Sequence, residues 1–142
     1  MSEVTELEAY QAIKDRWDAE WPPLRPLVTY CYENQKFVEP TDPTASWARV
    51  TLRPLDTVQH TLGGPGQALW LRQSNVWVQL YCPRGVGMEA VLPLVIDVRS
   101  IFEGKAFGGL DPAGASRWVP VGSDGRWFEV AVISPVTYYE KH

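Results

Sequence analysis

A long alternating strand runs through a Pro/Gly hinge into an apolar helix, and this constrains the fold more than any other feature of the chain. The stretch Leu69-Trp70-Leu71-Arg72-Gln73-Ser74-Asn75-Val76-Trp77-Val78-Gln79-Leu80-Tyr81-Cys82 leads into Pro83-Arg84-Gly85-Val86-Gly87. Val76, Val78, Leu80 and Cys82 share one face, and Trp77, Gln79 and Tyr81 share the other, since successive strand side chains point to opposite sides. Neither face is strongly polar. A sheet covered by helices on one side and by another subunit on the other needs this pattern. The spacing of Met88, Val91, Leu92, Val95, Val98 and Phe102 predicts a helix over 87–103. Pro93 falls inside it, to kink it or to set its start. The strand-to-helix turn, often the richest site of chemistry, carries no catalytic group here, which points to an assembly part.

The rest of the chain reads as follows. Leu7, Tyr10, Ile13, Trp17 and Trp21 recur at helical spacing, so a helix is expected from about Glu3 to Glu20. Either Thr5, with Glu8 in a capping box, or Ser2 serves as its N-cap, and Pro22-Pro23 is expected to stop it. Leu27–Glu33 reads as a strand and 34–46 as a long loop. Trp47–Arg53 reads as a second strand, ended by Pro54, with Ala48, Val50 and Leu52 toward the core. Leu55–Gln67, which contains Gly63-Gly64-Pro65-Gly66, reads as a projecting arm or hairpin-like loop. The third strand is expected to bend at Gln73-Ser74-Asn75. Ser116–Val121 and Arg126–Pro135 form a C-terminal β-hairpin around an Asp-Gly signal of the type I′ kind, with Pro120 marking an edge strand.

Totals bound the function classes. A chain of 142 residues is one domain, 1–142. Seven Trp and twelve Pro stand out. The first suggests surfaces buried against partners, and the second suggests long ordered loops. A net charge of −4 without any basic run argues against a surface that grips nucleic acid. Cys31 and Cys82 lie in apolar runs and read as reduced, semi-buried thiols. The acidic start Met1-Ser2-Glu3-Val4-Thr5-Glu6 is unlike a signal peptide, and no apolar run reaches the length of a membrane span. A reducing, aqueous compartment is expected.

Candidate chemistry is sparse. The histidines are His60, in a loop, and His142. Asp56 lies near His60, but no Ser or Cys stands in a nucleophile-elbow pattern. No ligand spacing supports a metal, so no catalytic, cofactor or metal residues are expected. Gly63–Gly66 lacks the Lys-Ser/Thr ending of a phosphate loop. The Gly85–Gly87 turn is the better anion candidate, though its glycines are explained by a tight turn. Arg49, Arg53 and Arg72 lie on strands beside Trp47, Trp70 and Trp77. That interleaving suits stacked single-stranded nucleic acid or, given the acidic total, a subunit interface.

Taken in order, these pieces resemble the phage tail terminator-like family, the small proteins that cap the tail tube of long-tailed phages. The resemblance rests on an N-terminal helix, Trp47-Ala48-Arg49-Val50, Thr61-Leu62-Gly63-Gly64 and Val76-Trp77-Val78-Gln79-Leu80-Tyr81. It continues through Pro83-Arg84-Gly85-Val86-Gly87, a helix ending near Ile101-Phe102, Phe107-Gly108-Gly109-Leu110, and Trp127-Phe128-Glu129-Val130-Ala131-Val132 before Pro135-Val136-Thr137-Tyr138-Tyr139-Glu140. Asn75, where a Gly often precedes the central strand, and Pro93 depart from the family pattern. The resemblance implies an α/β (α+β) fold, a mixed, mainly antiparallel sheet with helices on one face. It implies a structural virion protein that is not an enzyme: a homo-hexameric ring that ends tail-tube polymerisation and offers a head-to-tail joining surface. The partners would then be its own copies, the tube protein and a head-tail connector, with DNA only passing through an acidic lumen and no membrane. The implied location is the tail or neck of a virion assembled in the bacterial cytoplasm. The alternatives are another neck or head–tail joining protein and, from a different class, a small enzyme or ligand-binding protein using the Gly85–Gly87 turn. Leu55–Gln67 and Asn34–Ser46 are expected to be contact loops.

Overall fold

The computed structural model describes residues 3–59 and 68–141. Its elements are α1 (Glu6–Leu24), β1 (Thr29–Tyr32), β2 (Trp47–Gln59), β3 (Leu69–Pro83), α2 (Met88–Phe102), β4 (Asp111–Pro112), β5 (Arg117–Asp124) and β6 (Trp127–Lys141). They build one six-stranded sheet in the order β1-β2-β3-β6-β4, with β5 also paired to β6. β1 runs parallel to β2, and the other named pairs are antiparallel. The fold is a single α+β domain with a mixed, mainly antiparallel sheet, two helices on one face and a C-terminal hairpin, as expected.

Alternation decides which face the helices cover. Val76, Val78, Leu80 and Cys82 of β3, Ala48 and Val50 of β2, and Val130, Val132, Val136 and Tyr138 of β6 are all buried in one cluster. The cluster also holds Ala9, Ile13, Trp17 and Trp21 of α1, together with Val91, Leu94, Val95, Val98, Ile101 and Phe102 of α2. Trp17 lies at its centre, stacked on Trp21 with ring centroids 4.6 Å apart and on Phe102 at 6.0 Å. The expected stripes are shifted: Leu7 is 64% exposed while Ala9 is buried, and Leu94 and Ile101 replace Met88 and Leu92.

Thr5 is the N-cap of α1. Its hydroxyl accepts from the Glu8 amide at 3.1 Å, and its own amide donates to Glu8 Oε1 at 3.2 Å. Contrary to expectation, Pro22 and Pro23 do not stop this helix; both lie in its last turn. Each proline lacks the amide that would bond the carbonyl four residues earlier. Tertiary anchoring holds the turn instead: Trp21 is fully buried and its indole donates to the Val28 carbonyl at 3.2 Å, while Arg25 N closes on Trp21 O at 2.8 Å. Pro93 likewise does not set the start of α2, which begins at Met88. Pro93 and Glu89 are both exposed, so the missing hydrogen bond falls on the side of the helix that solvent can reach.

Pro54 does not end β2. The strand continues to Gln59, and its register against β3 shifts between Pro54 and Thr57. The irregularity therefore sits in β2 and not at Gln73–Asn75, where β3 keeps an unbroken ladder with β6 from Leu69 to Pro83. The bulge accommodates a residue that cannot donate to a ladder. The start of the expected arm is thus paired strand, and its 60–67 portion lies outside the described residues. β6 also runs further than expected, through Pro135 to Lys141. Pro135 faces the break between β4 and β5: its carbonyl accepts from Ala113 N at 3.1 Å, and the side of the strand that lacks an N–H is the same side.

Two tight turns depend on glycine. At the hairpin tip Asp124 pairs with Trp127 and Gly125 has φ +60, whereas Arg126 keeps a negative φ. This matches a type II′ turn and not the expected type I′. The type I′ pattern occurs at Phe107–Leu110, where Gly108 and Gly109 have φ +54 and +84. A Cβ on Gly108 would meet the Ala12 Cβ at 2.5 Å, so this turn seats the chain directly against α1.

The thiols are free and buried, as expected, and they lie on opposite faces of the sheet. No disulfide can join them without remaking the sheet. Burial pushes the Cys82 thiol above its ordinary value. A thiol-specific reagent should therefore leave both cysteines unmodified in the native protein and label two per chain in denaturant. Rapid labelling under native conditions would contradict this packing.

Candidate interaction surface on the outer sheet face

The face turned away from the helices has two halves. Near the β1 end, Trp47 stacks on Tyr81 with centroids 3.9 Å apart and planes 8° from parallel, and Phe37 stacks on Trp47 at 4.9 Å. Trp127 meets Trp47 edge-on at 6.1 Å. The irregular segment 33–46 folds over this cluster. Trp127 Nε1 donates to Glu39 Oε2 at 2.9 Å, the Arg126 guanidinium donates to the Pro40 carbonyl, and Asp42 Oδ1 accepts from Thr44 N at 2.9 Å. The expected contact loop is thus ordered against its own sheet, and Trp47 and Trp127 are 3% and 7% exposed.

In the other half Arg53 and Arg117 are exposed and Trp77 is half-buried, while Thr51, Ala131 and Ile133 are buried. Arg53 lies over the Trp77 ring at 4.5 Å, and Arg49 lies over Trp47 and Tyr81 at 5.4 and 5.8 Å. These are cation–π distances. Gln79 donates to Glu129 Oε2 at 3.0 Å, and Thr51 donates to Glu33. Register places Thr51, Trp77, Ile133 and Arg117 in one row across four strands. Among the described residues neither Arg53 nor Arg117 is in an ion pair.

The structure divides the Arg/Trp set suggested by the sequence. Arg49, Arg53, Trp47 and Trp77 share the outer face, while Trp70 and Arg72 point to the helix side. Arg72 donates to Glu140 Oε1 from Nη2 at 2.7 Å and from Nε at 3.1 Å, and Glu140 Oε2 accepts from the Glu6 amide at 3.0 Å. This node ties β3, β6 and the start of α1 together. It was not foreseen, because Arg72 and Glu140 are 68 residues apart. The excess of Trp is mostly satisfied internally, since Trp17, Trp21, Trp47 and Trp127 are all buried.

Tyr81 borders this face. Burial, reinforced by the Glu129 carboxylate and opposed by Arg49, pushes its hydroxyl up to about 12. Burial and the hydrogen bond to Asp18 push Tyr30 up to about 12 as well. A raised folded-state value favours the protonated phenol in the fold. Its stabilising contribution is therefore complete below the ordinary value of 10.0 and is lost as pH rises toward 12. Between those limits tyrosinate absorbance and loss of circular dichroism should rise together. Ionisation of these tyrosines near pH 10 with the fold intact would contradict these environments.

The Gly85–Gly87 turn borders a cavity of about 240 Å³ lined by Pro83, Gly85, Val86, Gly87, Met88, Val91, Ser123 and Phe128. Ser123 is the one polar side chain in that lining. Beside it, a groove of about 520 Å³ runs between Leu27, the 42–46 segment and Val86. Gly87 is the N-cap of α2 and makes no side-chain cap. His60, His142 and Gly63–Gly66 lie outside the described residues, as does the Asp56 side chain. Among the described residues no group of three or more His, Cys, Asp or Glu could hold a metal, and no helix is long and apolar enough to cross a membrane.

No family model matches this chain, and no curated protein matches it. A solved structure does, with a TM-score of 0.70 and 14% identity, over 94% of this chain and 95% of its own length. Its name states no function. At that identity the likeness establishes a shared α+β fold, carried through nearly the whole of both chains.

Proposed function

We infer that this protein is a structural virion component of the tail-terminator kind, a homo-hexameric ring that caps a phage tail tube, ends its polymerisation and offers a surface for head joining. The observation that carries this reading is the two-sided sheet. Helices close one face, and on the other, among the described residues, Arg53 is exposed and Trp77 and Arg49 are half-buried, above the buried Thr51, Ala131 and Ile133. Interfaces are enriched in Trp and Arg, so a face of this composition suits burial against other protein surfaces. The order of sequence motifs supports the same reading. The ring would contact the tube protein and a head-tail connector, with DNA passing through its lumen, in the tail or neck of a particle assembled in the bacterial cytoplasm. Enzymatic activity and a cofactor have no part in it.

Another neck or joining protein would share the ring but occupy a different position in the particle. The cavity at Gly85–Gly87 favours a small-ligand reading, and solution mass separates that from a ring. The decisive experiment is negative-stain imaging of the protein mixed with tail tubes. Ring-shaped caps on one end of tubes of fixed length are expected. Free particles beside uncapped tubes would overturn the terminator reading.

A further inference from the structure

We propose that the Arg53–Trp77–Arg117 patch on the outer sheet face docks the acidic outer side of α1 from a second copy of this chain, head to tail. The inference rests on the ring reading above, whose contact it names. The two surfaces lie on opposite sides of the same molecule, since α1 packs on the helix-covered face of the sheet. Their charges are complementary at Arg53 and Arg117, although the Glu33 carboxylate, bonded to Thr51 opposite Trp77, also lies on this face. Helix α1 carries five carboxylates and two cations, and its burial on Ala9, Ile13, Trp17 and Trp21 turns Glu8, Gln11 and Asp15 outward, all exposed. Across the sheet, Arg53 and Arg117 are exposed and lack an ion-pair partner among the described residues, and Trp77 between them is half-buried.

The spacing also fits. Arg53 reaches over the Trp77 ring, which lies two strands from Arg117 in the shared row. At about 4.8 Å per strand the backbones of Trp77 and Arg117 are about 10 Å apart. Glu8 and Asp15, seven residues apart on one helix face, are also about 10 Å apart at 1.5 Å rise per residue. A contact between different surfaces of identical chains is heterologous, and it closes into a ring when the rotation between copies permits. Burying Trp77 beneath a helix adds apolar area to the paired charges, and such opposite-sign surfaces speed encounter as well as orient it.

The test is a charge swap read by native mass spectrometry and sedimentation, with circular dichroism confirming that each variant is folded. An R53D/R117D chain should self-associate at least tenfold more weakly than the wild type. A Q11R/D15R chain should do the same, because its helix face then opposes the arginines. Mixed in equal amounts, the two should regain assembly, with both chains in each particle. Rings that persist in both variants would overturn this docking while leaving the ring itself standing. A wild type that stays monomeric alone and with tail tubes would overturn both. Wild-type binding to single-stranded DNA that R53D/R117D abolishes, with assembly unchanged, would overturn the proposal and assign the patch to nucleic acid.

Discussion

Trp17→Ala should destabilise the protein by about 3–5 kcal/mol, the range for deleting a large aromatic side chain from a close-packed core. Trp17 is fully buried, stacked between Trp21 and Phe102 and met edge-on by Tyr30 at 6.0 Å. It is therefore the side chain that joins α1 to α2 and to the start of β1. Alanine leaves a void that neighbouring rings cannot fill, because Trp21 is tethered through its indole to the Val28 carbonyl. The expected observation is an earlier urea midpoint with an unchanged slope. A loss under about 1 kcal/mol would mean that the ring stack is not the keystone of the helix layer.

Glu140→Ala should cost about 3 kcal/mol, near the lower end of what removing one partner of a buried ion pair costs, since Arg72 keeps some access to water. The Glu140 side chain is 12% exposed and that of Arg72 is 29%. The carboxylate serves two elements, accepting from the Arg72 guanidinium and from the first amide of α1. A negative charge at a helix N-terminus also complements the helix dipole. Its removal leaves Arg72 beside the core without this partner and should loosen residues 3–6, whose Val4 amide bonds the Tyr139 carbonyl at 2.8 Å. Hydrogen exchange should then accelerate first at Val4 and Glu6. Glu140→Gln should recover part of the loss, because an amide oxygen still accepts from Glu6. Equal losses in the two variants would count against the helix-terminus contact.

Local patterning was legible wherever one principle governed a segment. The period of two in β3 placed Val76, Val78, Leu80 and Cys82 on the helix side and Trp77, Gln79 and Tyr81 opposite, and the structure keeps both faces. The edge strand at Pro120 was legible for the same reason, and the structure chose Thr5 over Ser2, the other N-cap the sequence offered. Proline misled where tertiary contacts outweighed its local cost. At Pro22 and Pro23 the buried Trp21 holds the turn, at Pro54 a bulge absorbs the missing donor, and at Pro135 the missing donor faces a break between neighbouring strands. The candidate surface was legible in part: Arg49 and Arg53 were correctly set beside Trp47 and Trp77, but Arg72 was not.

From the sequence alone came most element types, the two faces of β3 and part of each helix core, Ile13, Trp17 and Trp21 of α1 and Val91, Val95, Val98 and Phe102 of α2, because each depends on residue type and spacing within a few turns of chain. Tertiary structure alone decided the strand order, the Arg72–Glu140 node and the burial of Trp47 and Trp127 under 33–46. It also decided that Arg53 and Arg117 are without an ion pair among the described residues, whereas Arg72 is paired. Those outcomes join residues tens of positions apart, and pairing at that distance is settled by how whole layers pack, which no local period records.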